Sequence, residues 1–157
     1  MTLKIIISAE SIQNLDLVPV KQIVEKWQES GELTAHHQHI QLQIDYIRDP
    51  DDPRELSEVP EVRLWFIRLD SYYPWFPFLL DWKSGELSRY AAMLVPHQFS
   101  HREGIQYNPE ALEIFVMQKT FVLMDWMKGN EIETISTVKY MAQMFGYELD
   151  DGFFSLI

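Results

Sequence analysis

The groups in this chain with most chemical potential are its histidines and its crowded carboxylates. Three imidazoles stand almost together in His36-His37-Gln38-His39, and His97 and His101 have the i, i+4 spacing of a helical metal pair, with Glu103 close by. Adjacent side chains diverge, however, and no carboxylate or cysteine stands at a ligand spacing beside the first cluster, which reads as a solvated loop between a helix and a strand. The second pair lacks the glutamate next to its first histidine that zinc hydrolases use, and Pro96 and Gly104 interrupt a regular helix there. Asp49, Asp51, Asp52, Glu55 and Glu58 suggest calcium or magnesium. A calcium loop needs a glycine at its sixth position and alternating ligands; here Pro50 and Pro53 intervene and Arg48 and Arg54 neutralise part of the charge. The segment reads as a solvated or partner-facing loop. No metal site and no cofactor is expected.

Catalytic signatures are equally scarce. Among six glycines there is no nucleophile elbow, no phosphate-binding loop and no dinucleotide fingerprint. With 24 acidic residues, accidental carboxylate pairs are many, so none is singled out for acid-base work. The absence of cysteine excludes disulfides, thiolate catalysis and an iron-sulfur cluster held by the chain's own thiolates. No catalytic residue is assigned.

Against 24 acidic side chains stand 13 basic ones, a formal charge of -11. Such a surface repels polyanions, so nucleic acid and anionic membranes are poor partners while a basic protein surface is attracted. No segment offers the roughly 20 apolar residues that span a bilayer, and Met1 to Ser8 carries neither a signal nor a transit pattern. A soluble protein that stays in the cytoplasm is the expectation. At 157 residues with 46% apolar composition, the chain is long enough for one core, and a single domain over 1-157 is expected.

The elements that must position these groups centre on Glu61 to Lys83, which holds eight of the 21 aromatic residues. So much aromatic surface must become core or interface. Leu3 to Ser8 reads as a buried strand, and Pro19 opens a helix whose stripe is Val20, Ile23, Val24 and Trp27, closed by Gly31. Ile40 to Tyr46 alternates as a strand with one wet face. Arg48 to Pro60 is a loop. Val62 to Leu69 carries apolar residues on both faces of an alternating pattern and reads as a central strand. Pro74 and Pro77 then make a turn, Phe78 to Trp82 a further strand, and Gly85 a hairpin bend. Leu87 to Val95 is taken as the returning strand, although Leu87, Tyr90, Ala91 and Leu94 also fit a helical stripe. Pro96 to Tyr107 reads as a polar loop. Asn108-Pro109-Glu110 starts a long, largely buried helix to Lys128, and Thr134 to Phe145 forms a last amphipathic one. The predicted class is α+β, a mixed, largely antiparallel sheet of about five strands against a long buried helix and two amphipathic helices.

Four runs carry a family resemblance: Arg48-Asp-Pro-Asp-Asp-Pro-Arg-Glu-Leu-Ser-Glu, Val62-Arg-Leu-Trp-Phe-Ile-Arg-Leu-Asp, Ala91-Ala-Met-Leu-Val-Pro-His-Gln-Phe and Gly104-Ile-Gln-Tyr-Asn-Pro-Glu-Ala-Leu-Glu-Ile-Phe. Together they resemble the chlororespiratory reduction 6 family of cyanobacteria and chloroplasts. The resemblance implies an assembly factor, chaperone-like rather than enzymatic, for the photosynthetic NADH dehydrogenase-like complex. It further implies action on the soluble arm through the ferredoxin-like iron-sulfur subunit, and, for want of a transit peptide, the cyanobacterial form. The family supplies no catalytic residues to carry over. Loops on a rigid scaffold are where binding groups gather, so Asp49, Asp52, Arg54, Glu55, His97 and Tyr107 are the expected partner contacts, joined by Tyr72, Tyr73 and Trp75 at the proline-bounded turn. The alternative is a small metal-dependent or modifying enzyme acting on that subunit through His97 and nearby carboxylates.

Overall fold

The computed structural model describes residues 2–157, which divide into two compact units, one ending at Leu94 and the other Val95–Ile157. In the first unit, β1 (Leu3–Ser8) pairs in parallel with β2 (Ile40–Asp45), Leu3 opposite Ile40 through Ser8 opposite Asp45. The crossover consists of α1 (Ala9–Gln13) and α2 (Val18–Ser30), and Val20, Val24 and Trp27 give α2 its buried stripe. Gly31 ends α2 at φ 73°, a left-handed conformation that costs glycine no Cβ clash. Ile5, Ile7, Ile40 and Leu42 are buried on one face of the pair, while Lys4, Ile6 and Gln43 stand exposed on the other.

The expected central strand over Val62 to Leu69 is instead part of helix α3 (Pro60–Tyr72). Pro60 occupies the first helical position, where a missing N–H loses nothing, and Glu61 faces the positive end of the helix dipole. Val62, Trp65, Phe66 and Leu69, at i, i+3, i+4 and i+7, are all buried, whereas Leu64 and Ile67 are 52% and 40% exposed. A central strand would have hidden both sets. The indole N–H of Trp65 donates to the Asp16 carbonyl at 2.9 Å, tying this helix to the start of α2.

Phe78 to Trp82 is not a strand either. Two short 3-10 turns, Phe76–Phe78 and Trp82–Ser84, flank a single bridge between Leu80 and Ile40. The Asp81 carboxylate accepts from the Lys83 and Ser84 N–H groups, which favours a turn over a ladder. Gly85 does adopt positive φ, at 85°, but it closes that turn ahead of α4 (Glu86–Leu94) and makes no hairpin. In α4 the helical stripe prevails: Leu87, Tyr90 and Ala91 are buried, and the Tyr90 hydroxyl donates to Asp70 of α3 at 2.6 Å. Burial and the Asp70 carboxylate push the Tyr90 phenol well above its ordinary range.

In the second unit, Pro96 to Tyr107 is mostly a hairpin rather than a loop. Strands β3 (His97–Ser100) and β4 (Gly104–Tyr107) pair antiparallel. Next comes α5 (Pro109–Gly129), capped by the Asn108 side chain, which accepts from the Ala111 N–H at 3.0 Å. Its buried face holds Phe115, Val116, Leu123, Met124 and Met127, but Ile114 and Phe121 are 67% and 45% exposed, so burial is one-sided rather than circumferential. Then come α6 (Ile135–Met144) and the short α7 (Asp151–Ser155), where Phe154 is buried. The class is α+β, as predicted. The single five-stranded sheet is replaced, among the described residues, by seven α-helices and two sheets of two strands each.

Candidate functional site

Of the expected contact residues, four lie in the segment after β2. Here Arg54 donates from Nε to both carboxylate oxygens of Asp52 at 3.1 Å and from an Nη at 2.8 Å, and Asp52 also accepts from the Arg54 backbone N–H at 3.0 Å. These hydrogen bonds hold the Asp52 carboxyl down to about 2 and raise the Arg54 guanidinium. Asp49 accepts from the Asp51 N–H at 2.9 Å, and Arg48 reaches the Arg54 carbonyl. The loop is thus organised by its own side chains, with Asp49, Asp51, Arg54, Glu55 and Glu58 all turned to solvent. Two prolines, Pro50 and Pro53, limit the conformations it samples. It presents a pre-shaped anionic surface.

Two further residues meet in the second unit. His97 and Tyr107 face each other across the β3–β4 ladder with ring centroids 6.0 Å apart, and Tyr107 packs edge-on against Phe145. His97 donates from Nδ1 to the Val95 carbonyl at 2.9 Å, which assigns its proton to that nitrogen. Burial raises the Tyr107 phenol. Together with Pro96, Gln98, Gln106, Asn108 and Pro109 they line a cavity of about 410 Å³ where the hairpin joins α5. Gln98, Gln106 and Asn108 give its lining amide groups beside the His97 and Tyr107 rings. Among the described residues, no group of three or more metal-ligating side chains is arranged to hold an ion.

The proline-bounded turn divides. Tyr73 and Trp75 are 5% and 8% exposed and pack edge-on against each other at 5.5 Å, so they are core. The Tyr73 hydroxyl also donates to Glu25 at 3.3 Å, and burial with that carboxylate raises its phenol to about 12. Tyr72 alone is open, at 58% exposure, with the Arg68 guanidinium 5.9 Å above its ring. It borders a cavity of about 130 Å³ that also touches Lys21, Arg68 and Asp16. Reading by residue type missed this place because Lys21 and Arg68 stand far apart in sequence. The i, i+4 spacing of Arg68 and Tyr72, once taken as helical, would have signalled it.

The histidine cluster is more structured than a solvated loop. His36 stacks on Trp27 at 3.7 Å, with the ring planes 7° apart, and His37 lies 4.3 Å from Phe78. Partial burial, with His39 nearby, lowers the His37 imidazole below its ordinary value. These imidazoles act as packing groups.

A family model described as Chlororespiratory reduction 6 matches residues 7–156, nearly the whole chain and both units. The chain belongs to the chlororespiratory reduction 6 family. Members of this family are assembly factors of the NADH dehydrogenase-like complex and are not known as enzymes, so this chain serves that assembly. No solved structure matches it. Among the described residues no helix is long and apolar enough to cross a membrane.

Proposed function

We propose that this member of the chlororespiratory reduction 6 family is a chaperone-like binding protein of the cyanobacterial cytoplasm. It binds the ferredoxin-like iron-sulfur subunit of the soluble arm and leaves before the photosynthetic complex is complete. The observation that carries this reading is the exposed acidic loop, whose carboxylates are held on a scaffold fixed by the Asp52–Arg54 pair. A strongly anionic factor attracts a basic, partly assembled subunit at long range and repels nucleic acid and anionic lipid. With no thiolate of its own, it does not compete for the clusters its client must receive.

Native affinity capture from cells, followed by identification of the bound subunit and its cluster content, tests the reading. Capture of that subunit in excess over mature complex supports it. Reversing Asp52 and Glu55 to lysine is expected to weaken the capture by about tenfold at moderate salt, the scale of one or two charge-assisted contacts. Undiminished capture would remove the acidic loop from the interface.

A further inference from the structure

The two edges of the parallel pair are treated differently. In this register the odd-numbered residues of β1 bond to β2, beginning with the Leu3 N–H to the His39 carbonyl at 2.6 Å, and the even-numbered residues of β2 point the other way. That far edge of β2 is closed by the chain itself. Ile40 donates to the Leu79 carbonyl at 2.8 Å and accepts from Asp81 at 2.7 Å; further along, the Leu42 N–H meets Glu86 at 3.3 Å and its carbonyl meets Arg89. The outer edge of β1 has no such closure. There the N–H and C=O groups of Lys4 and Ile6 point away from β2, and no described backbone or side-chain group pairs with them. Ile6 is 57% exposed.

Beside the start of that edge lies a cavity of about 380 Å³ lined by Thr2, Leu3, Trp27, Ala35, His36 and His39. Its walls are mainly apolar, with the stacked Trp27 and His36 rings forming one side. A strand added to β1 opposite Leu3 would direct its side chain to the same face as Leu3, toward this cavity, and its next residue to the opposite face. Main-chain pairing at an open edge with a pocket for alternate side chains is the physical basis of recognition by strand addition.

We propose that the β1 edge and the Trp27–His36 cavity receive an extended, positively charged segment of a partner protein as a third strand, with one large apolar side chain seated in the cavity. A chain of net charge -11 draws a cationic segment in at long range, and since Lys4 stands on the edge itself, the positive charges belong to the flanks of the added strand rather than beside Lys4. The chain's net charge also disfavours a second copy, since two such anions repel. The inference is independent of which subunit the chain serves.

The test uses the full chain and a synthetic peptide, acetyl-KKVTWTVKK-amide, whose valines and tryptophan share one face of a strand, with threonines rather than lysines beside the Lys4 position and the charges at its flanks. Solvent exchange of individual amides is followed by NMR. Saturating peptide is expected to slow exchange at Lys4 and Ile6 by about tenfold or more, as newly bonded amides require, leaving the already paired Ile5 and Ile7 unchanged. A glutamate-for-lysine peptide and an alanine-for-tryptophan peptide are each expected to bind about tenfold more weakly. Ile6→Pro removes an edge N–H that the native sheet does not use, and Ala35→Trp fills the cavity from an exposed position; each should abolish the protection while the far-edge amide of Leu42 stays protected. Unchanged exchange at millimolar peptide, or affinity unaltered in both variants, would overturn the proposal. So would slowed Lys4 and Ile6 exchange in a peptide-free dimer, which would make a second copy the occupant.

Discussion

Replacing Glu86 by alanine should destabilise the first unit by about 2–4 kcal/mol, because its carboxylate does two jobs at once. It accepts the Leu42 N–H of β2 and pairs with Arg89, whose guanidinium reaches the Leu42 carbonyl. Glu86 is 4% exposed and the Arg89 side chain 29%. Orphaning the Leu42 N–H costs about 1–3 kcal/mol, and leaving a buried cation without its partner about 3–5 kcal/mol, the latter reduced because water still reaches Arg89. In urea titrations with a slope of about 2 kcal/mol/M, the midpoint should fall by about 1–2 M at unchanged slope. Arg89→Ala should cost a similar amount by stranding the more deeply buried carboxylate. The double variant should lose less than the sum, with a coupling of about 1–3 kcal/mol. A loss below about 0.5 kcal/mol for Glu86→Ala, or additivity within that margin, would refute the reasoning that this clasp closes the sheet edge.

Three other outcomes are expected. Because burial lowers the His37 pKa in the folded chain, the unfolded chain binds more protons between that value and about 6.5. Stability should therefore fall as pH drops below about 6.5, and urea unfolding of His37→Gln between pH 5 and 7.5 should show a flatter dependence. His97→Ala should restore complex assembly in cells lacking the protein, since His97 packs against Tyr107 and hydrogen-bonds the Val95 carbonyl; loss of assembly at normal protein abundance would favour catalysis. Phe154→Ala should lower stability by about 2–4 kcal/mol in thermal or urea unfolding, as its ring is 6% exposed and packs on Phe153 and beside Lys139. An unchanged midpoint would mean that the tail contributes nothing.

What could be read before the structure depended on whether a segment's local signals agreed. Leu3 to Ser8, the helix ending at Gly31, Ile40 to Asp45 and the Asn108-capped helix carry consistent local signals and all form, although Leu3 to Ser8 and the long helix, both expected to be buried, each leave one face exposed. Val62 to Leu69 satisfied two periods, because its apolar residues are dense enough to fit both alternation and a 3.6 repeat. Pro60 and Glu61 held the deciding information, since they mark a helix start rather than a strand. The same ambiguity at Leu87 to Val95 resolved toward the helix. In β3–β4 the sequence is polar enough to pass for a loop, and only the cross-strand partners His97–Tyr107 and Phe99–Ile105 reveal pairing. Of the candidate contacts, Asp49, Asp52, Arg54 and Glu55 lie in the loop where their proline-rich, charged segment put them, whereas His97 and Tyr107, expected in a loop, are cross-strand partners on β3 and β4. Tyr73 and Trp75 were misassigned to a partner because tertiary burial does not show in a proline-bounded aromatic run.

The proposed partner is the iron-sulfur subunit, met before the complex is finished. Titrating the purified chain into the purified subunit by calorimetry, at low and moderate salt, tests it most directly. Saturable binding is expected, weakening steadily with ionic strength and reduced by Asp52→Lys and Glu55→Lys. Absence of binding to the isolated subunit, with the chain instead co-migrating with the mature complex on a native gel, would contradict it.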